Sequence, residues 1–263
     1  MQIHSFLFAS ELDGALLPNG ILTATPGCLE RTRELLEQLK TANYPVAYVT
    51  DHYLELAKEN QKLFKLPEPD YWICNLGTEI RDTAGRLDDN WKDMMGPTLD
   101  KKQLLSVLKG NPNLVAHEDE TQGAHKFSFY YTESVDDNVR NWMLGRVRPM
   151  IEGIRLMDTI EESSGLIVLH LIPKTAGKAN ALGYLAEKLG LPRTRVFFSG
   201  NSEDDLETLT SGVCGTLVGN TPRATRDRAR EVAENMEGAR LTLSQSYYGD
   251  GVIEGLRAYN LLR

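Results

Sequence analysis

Residues 4–14 read HSFLFASELDG, an apolar and aromatic run that stops at a polar cluster carrying Glu11 and Asp13. A short apolar run bounded in this way predicts a buried strand that delivers its last residues into a loop. The same rhythm continues outward. Residues 25–41 place Cys28, Leu35, Leu36 and Leu39 at helical spacing, with Thr25 suited to an N-cap and Pro26 to the first helical position. Residues 44–50 (YPVAYVT) and 71–75 (YWICN) read as two further strands, separated by a helical stretch from Asp51 to about Leu63. Strand–helix–strand–helix–strand order predicts a parallel sheet with helices on its faces. Ligands of such sheets lie beyond the carboxyl ends of the strands, where Glu11, Asp13 and Thr50 fall.

The pattern changes after residue 80. Residues 79–87 suggest a hairpin around Ala84-Gly85, and Lys126–Tyr131 an antiparallel strand followed by a helix from about Val135 to Leu144. Ile151–Met157 and Gly165–Ile172 are further strand candidates. Doubly wound order then resumes. Gly177–Leu189 reads as a helix stopped by Gly190, Arg195–Ser199 as a strand, and Ser202–Thr208 as the opening of a helix. Val213–Val218 reads as a strand, Arg223–Asn235 as a charged helix and Gly251–Leu262 as an amphipathic helix. The expected organisation is an α/β core built from residues 1–88 and 172–263, carrying an α+β insertion at 89–171. No internal repeat or low-complexity tract is present.

Composition narrows the function classes. The 263 residues carry a formal net charge of −8, with 25% charged and 41% hydrophobic residues, the balance of an ordinary globular chain. A net negative chain has no basic field to neutralise nucleic-acid phosphates. No apolar run approaches the roughly 20 residues needed to span a bilayer. The opening lacks a basic region, and its apolar run is interrupted by Glu11 and Asp13, so no signal peptide is expected. Cys28, Cys74 and Cys214 show no CxxC spacing, which suits reduced cytoplasmic thiols without zinc.

Four positions would converge at the strand ends. Glu11 and Asp13, two residues apart on an extended chain, point to one side and suit a nucleophile or metal ligand beside a general acid/base. Thr50 could hold a phosphate oxygen, and Lys178 could offset anionic charge. The loop Gly200-Asn-Ser-Glu-Asp-Asp205 offers hard oxygen ligands for Mg²⁺. Each has a plainer reading: solvated turn carboxylates for Glu11 and Asp13, a helix N-cap for Thr50, a surface charge for Lys178, and helix-dipole complementation for residues 203–205. A dinucleotide-binding module is disfavoured, because no G-x-G-x-x-G follows the first strand.

In order and placement, ASELDGALL, AYVTDH, PKTAGKANAL and SGNSEDDLETL resemble the four motifs of the haloacid dehalogenase (HAD) superfamily of phosphatases. EPDYWICNLGTEI, Trp91, HKFSFYY and LIPKTAGKANAL narrow the likeness to the sucrose-6-phosphate phosphatase family. The mannosyl-3-phosphoglycerate and trehalose-phosphate branches share the cap type. The resemblance implies a Rossmannoid core with a C2-type cap that recognises sugar, and a cytoplasmic Mg²⁺-dependent enzyme. It assigns attack on phosphorus to Glu11 and acid/base work to Asp13. Mg²⁺ would be held by Glu11, the backbone carbonyl of Asp13 and Asn201, with Asp205 orienting the metal shell; Thr50 and Lys178 would hold phosphate. Asp51, His52, Lys126 and His170 fall where the family contacts substrate.

The departures from that pattern matter more than the matches. Glu11 stands where the family has its nucleophilic Asp and extends the carboxylate by one C–C bond, about 1.5 Å. A misplacement of about 1 Å can cost on the order of 100-fold in rate. Asn201 removes a charge from a hard-cation site. Ala15 removes a hydroxyl, and Asp51-His52 replaces the usual Gly-Arg, setting a carboxylate where a phosphate should be received. His170 replaces an acidic residue and Leu166 a polar one in the cap. The expectation is a sucrose-6-phosphate-phosphatase-like protein with little or no hydrolytic activity, retained for binding or regulation in sucrose synthesis. Its implied ligands are sucrose or a sugar phosphate, and its implied protein partner is sucrose-phosphate synthase. The competing expectation is a working Mg²⁺-dependent sugar-phosphate phosphatase, in which Asp204 or Asp205 compensates for Asn201.

Overall fold

A computed structural model of the chain describes residues 6–161 and 164–262; His4 and Ser5 of the opening run lie outside this range. In chain order the elements are β1 (Leu7–Glu11), α1 (Cys28–Thr41), β2 (Val46–Val49), α2 (Leu54–Leu63), β3 (Tyr71–Cys74) and β4 (Glu79–Asp82). Next come α3 (Asp89–Met94), α4 (Lys101–Val107), β5 (Leu114–Ala116), β6 (Phe127–Tyr131), α5 (Asp137–Val147), β7 (Ile154–Ile160) and β8 (Ile167–Pro173). The chain closes with α6 (Lys178–Lys188), β9 (Val196–Gly200), α7 (Leu206–Leu209), β10 (Cys214–Leu217), α8 (Arg223–Asn235), β11 (Leu241–Leu243) and α9 (Tyr248–Ala258). Two compact units result, one made of the chain up to Asp88 and from Lys178 onward, the other of Asp89–Gly177.

The first unit is an α/β fold on a seven-stranded sheet of order β11-β10-β9-β1-β2-β3-β4. All pairings are parallel except β3 with β4. Helices cover both faces, so all five residues of β1 are buried, and a strand buried on both sides carries an unbroken apolar run rather than an alternating one. Phe8, Leu36, Tyr48, Trp72, Phe197 and Val252 belong to one continuous core. The expected hairpin at residues 79–87 exists as a turn, with Arg81 bridged to Leu87, but the longer partner of β4 is β3.

Two helix starts differ from expectation for reasons visible in the hydrogen bonds. α1 begins after Gly27, whose φ of 79° suits a residue without Cβ, while the Thr25 hydroxyl donates to Asp250 instead of capping. α2 begins at Leu54 rather than Asp51. The amide of His52 donates to Thr50 Oγ1 (3.2 Å) and its carbonyl accepts from Asn75 N (2.8 Å), so the segment between β2 and α2 is tied down as a bend.

The second unit is a four-stranded antiparallel sheet of order β5-β6-β8-β7. One face packs Phe127, Phe129, Leu169 and Leu171 against Leu104, Val139 and Met143 of α4 and α5. Asp136 caps α5 by accepting from Val139 N at 3.0 Å. β7 starts three residues later than the apolar run from Ile151 suggests. Ile151 N still donates to Val147 O at the end of α5, and the chain turns at Gly153 (φ 75°) before extending. Among the described residues, no helix is long and apolar enough to cross a membrane.

Candidate active site

The carboxyl ends of β1, β2 and β9 and the start of α6 bring four segments of the first unit together. Glu11 is the last residue of β1, Thr50 follows β2, Lys178 opens α6, and residues 201–205 follow β9. Lys178 is not a surface charge: its side chain is 4% exposed. Its Nζ donates to Glu11 Oε2 (2.6 Å), Asp204 Oδ2 (2.6 Å) and Asp205 Oδ1 (2.9 Å). Asp51 Oδ1 lies 2.9 Å from the same nitrogen. An ammonium has three N–H donors, so four carboxylates share them.

The loop after β9 is built around Asp205. Its Oδ2 accepts from Asn201 N (3.0 Å) and Ser202 N (3.3 Å), and the single hydroxyl proton of Ser202 is shared between Asp204 Oδ1 (2.5 Å) and Asp205 Oδ2 (3.0 Å). Gly200 permits this approach, since a Cβ there would stand 2.4 Å from Asp205 Oδ2. Gly14, in the left-handed region at φ 71°, does the same for Asn201, whose Nδ2 would meet a Cβ at 2.3 Å.

Asp13 sits in a separate clasp. Its Oδ1 accepts from Asn19 Nδ2 (2.6 Å) and from Asn60 Nδ2 on α2 (3.0 Å). Asn19 in turn accepts from Gly14 N at 2.9 Å, which folds the turn back on itself. Asp13 Oδ2 is buried without a hydrogen bond and lies 3.7 Å from His52 Nε2. Thr50 is fully buried, with its hydroxyl oxygen accepting from His52 N as noted above.

Burial and crowding set the protonation of this cluster. Desolvation pushes Glu11 well above its ordinary value, reinforced by Asp205 and Asp51 and opposed by Lys178. Desolvation, with the charge of Asp204, raises Asp51 to about 7. Asp205 is also raised by burial. At Asp204 burial is outweighed by Lys178 and the Ser202 hydroxyl, and the carboxyl is lowered. Burial would lower Lys178, but the carboxylates around it overcome that and hold it well above the usual lysine range.

For a carboxyl raised on folding, the native state binds more protons between the unfolded and folded values, so stability falls as pH rises through that window. For Asp51 the window runs from 3.8 to about 7. Asp51→Asn removes one buried negative charge beside Lys178. It should stabilise the fold by about 1–2 kcal/mol at pH 8 and flatten the decline between pH 4 and 7. Urea denaturation across this range measures both; an unchanged slope contradicts the assignment.

A divalent cation does not fit this donor set as it stands. Both oxygens of Asp205 and Oε2 of Glu11 are spent on Lys178 and the loop amides, Glu11 Oε1 accepts from Leu12 N at 3.3 Å, and the residue at position 201 is a neutral amide. Among the described residues, no group of three or more His, Cys, Asp or Glu side chains is arranged to hold a metal ion.

Two residues expected at the substrate, Lys126 and His170, lie in the second unit and are both buried. The ring nitrogens of His170 pair with Ser128 Oγ (2.8 Å) and Thr159 Oγ1 (2.9 Å) on the flanking strands, an arrangement that ties three strands together. Leu166 is 38% exposed before β8.

Comparison with known proteins agrees with this architecture. The profile of the sucrose-6F-phosphate phosphohydrolase family matches residues 4–260. The chain belongs to that family. Sucrose-phosphatase 1 of Nicotiana tabacum is 30% identical over 173 residues, which cover 64% of this chain and 39% of the tobacco protein. The mannosylfructose-phosphate phosphatase of Agrobacterium fabrum is 25% identical over 262 residues, 97% of each chain. The fold matches the Synechocystis sucrose-phosphatase solved with sucrose and phosphate, at a TM-score of 0.79 and 23% identity over 98% of this chain and 99% of that one. Among family members, then, this one carries Glu11, Asp51 and Asn201 at its strand ends.

Proposed function

We propose that this chain is a sucrose-6-phosphate-phosphatase-like protein with little or no hydrolytic activity, acting by binding in the regulation of sucrose synthesis. The observation that carries the reading is the Asp51 carboxylate, 2.9 Å from Lys178 Nζ. It occupies the cation that the family resemblance assigns to substrate phosphate. At an effective dielectric near 20, two like unit charges about 4 Å apart repel by about 4 kcal/mol. A phosphate dianion entering here meets Glu11, Asp51, Asp204 and Asp205 around a single ammonium. Once Asp51 is ionised, above about pH 7, repulsion outnumbers attraction.

On this reading the unit around residues 89–171 is the sugar-recognition cap, with Lys126 as its sugar contact, and His170 shapes the sheet beneath. The ligand is sucrose or its phosphate, the protein partner is sucrose-phosphate synthase, and the site of action is the cytoplasm. The family resemblance supports these assignments.

Phosphate release from sucrose 6-phosphate with excess Mg²⁺, beside p-nitrophenyl phosphate and a Glu11→Ala control, tests the reading. The expected result is release no greater than the control from a folded, monodisperse sample. Turnover in the ordinary enzyme range of about 1–10³ s⁻¹ that disappears in Glu11→Ala overturns it. That outcome makes Glu11 the attacking group, with Asp13 as acid/base and Asp204 or Asp205 standing in for Asn201.

A further inference from the structure

We infer that the Lys178 ammonium is the resident cation of this site, taking the electrostatic place of the divalent ion, so that the carboxylate cluster is complete without Mg²⁺. The inference takes the identity of the site from the proposed function and adds to it how the site is charge-balanced.

Three observations carry the inference. First, Lys178 Nζ is enclosed by Glu11, Asp51, Asp204 and Asp205 at 2.6–2.9 Å, and its side chain is 4% exposed. These carboxylates come from β1, from the bend after β2 and from the loop after β9. The family resemblance gives Asp204 no metal or substrate role, and it places Asp51 where substrate is contacted. Second, Glu11 Oε2 already accepts from Lys178, and Asp205, which the resemblance has orienting the metal shell, accepts from Lys178 and two backbone amides. Third, position 201 supplies a neutral amide packed against Gly14. A hard divalent ion takes oxygen ligands, preferably charged ones. To enter here it must break several charge-assisted hydrogen bonds of a buried lysine, and those are among the stronger hydrogen bonds proteins make.

The test uses the full chain and Mg²⁺ as the probe. Thermal unfolding of the wild type is expected at the same Tm in excess EDTA and in millimolar Mg²⁺, and isothermal titration with Mg²⁺ is expected to give no saturable heat. In Lys178→Met the cage opens to an external cation, and Mg²⁺ is expected to raise Tm by about 2–4 °C or more. Because that variant gives up a buried cation and its folding is at risk, Mn²⁺ paramagnetic resonance on the wild type supplies an independent arm. The free-ion spectrum is expected to keep its full amplitude when protein is added. Saturable Mg²⁺ heat, a Tm that rises with Mg²⁺ in the wild type, lost Mn²⁺ amplitude, or a folded Lys178→Met chain indifferent to Mg²⁺ each overturns the inference. Hydrolysis without Mg²⁺ uptake removes the proposed function and leaves the inference standing; Mg²⁺ uptake without hydrolysis does the reverse.

Discussion

Lys178→Met is expected to lose about 3–5 kcal/mol of unfolding free energy at pH 8, the cost of breaking a buried ion cluster from one side. Methionine matches lysine as far as Cε, so the loss reports mainly charge rather than cavity. Four carboxylates would then face one another without a counter-ion. Glu11, Asp51 and Asp205 all have folded-state values raised above their ordinary ones. They take up protons as pH falls, so the deficit should shrink markedly at pH 5. Urea denaturation at the two pH values gives the comparison. A loss below about 1 kcal/mol at pH 8 is what an exposed pair costs, and would mean that water reaches the cluster and screens it.

The second large effect is a gain. Glu11→Asp, Asn201→Asp and Asp51→Gly, combined in one chain, shorten the carboxylate that the resemblance casts as nucleophile, place a charged side chain at 201 and remove the acid beside Lys178. Correcting a displacement of about 1 Å is worth on the order of 100-fold, so phosphate release from sucrose 6-phosphate in Mg²⁺ should rise at least about 100-fold over the wild type. Isothermal titration should show Mg²⁺ binding in the same variant. A triple variant that is folded yet neither binds Mg²⁺ nor turns over would show that the defect lies elsewhere, for instance at Ala15.

Much of the fold was readable because its strands are short apolar runs punctuated by polar residues, as at residues 6–13 and 71–75. Elements too short to show a period were not: α3, α4, β5 and β11 are three to seven residues long and went unread. Termini shifted wherever a side chain was claimed by a distant partner. Thr25 reads as a cap until Asp250, 225 residues away, takes its hydroxyl. At the site, placement at strand ends picked out Glu11, Asp13, Thr50, Lys178 and the loop 200–205, the resemblance singled out Asp205, and the structure gathers Glu11, Asp51 and Asp205 around the Lys178 nitrogen. What spacing could not tell was which acid of residues 203–205 reaches inward besides Asp205; the structure turns Asp204 onto Lys178. The amides holding Asp13 were also missed. Asn19 carried a faint signal, lying in a Pro-Asn-Gly turn close to Asp13, whereas Asn60 sits within α2 and nothing local marks it.

The crowding at Lys178 also bears on the order in which this sequence can change. Neighbouring substitutions do not contribute independently, and each step is judged against the residues still present. If Asn201→Asp comes first, it adds negative charge beside a cluster that already has more carboxylates than its lysine has protons to donate. If Asp51 is replaced first, that position is relieved before the new charge arrives. Of the possible mutational paths back to a family-standard site, those that begin at residue 51 run downhill, and those that begin at residue 201 must first climb. One carboxylate at residue 51 thereby sets the order of any return, with residue 51 changing before residue 201.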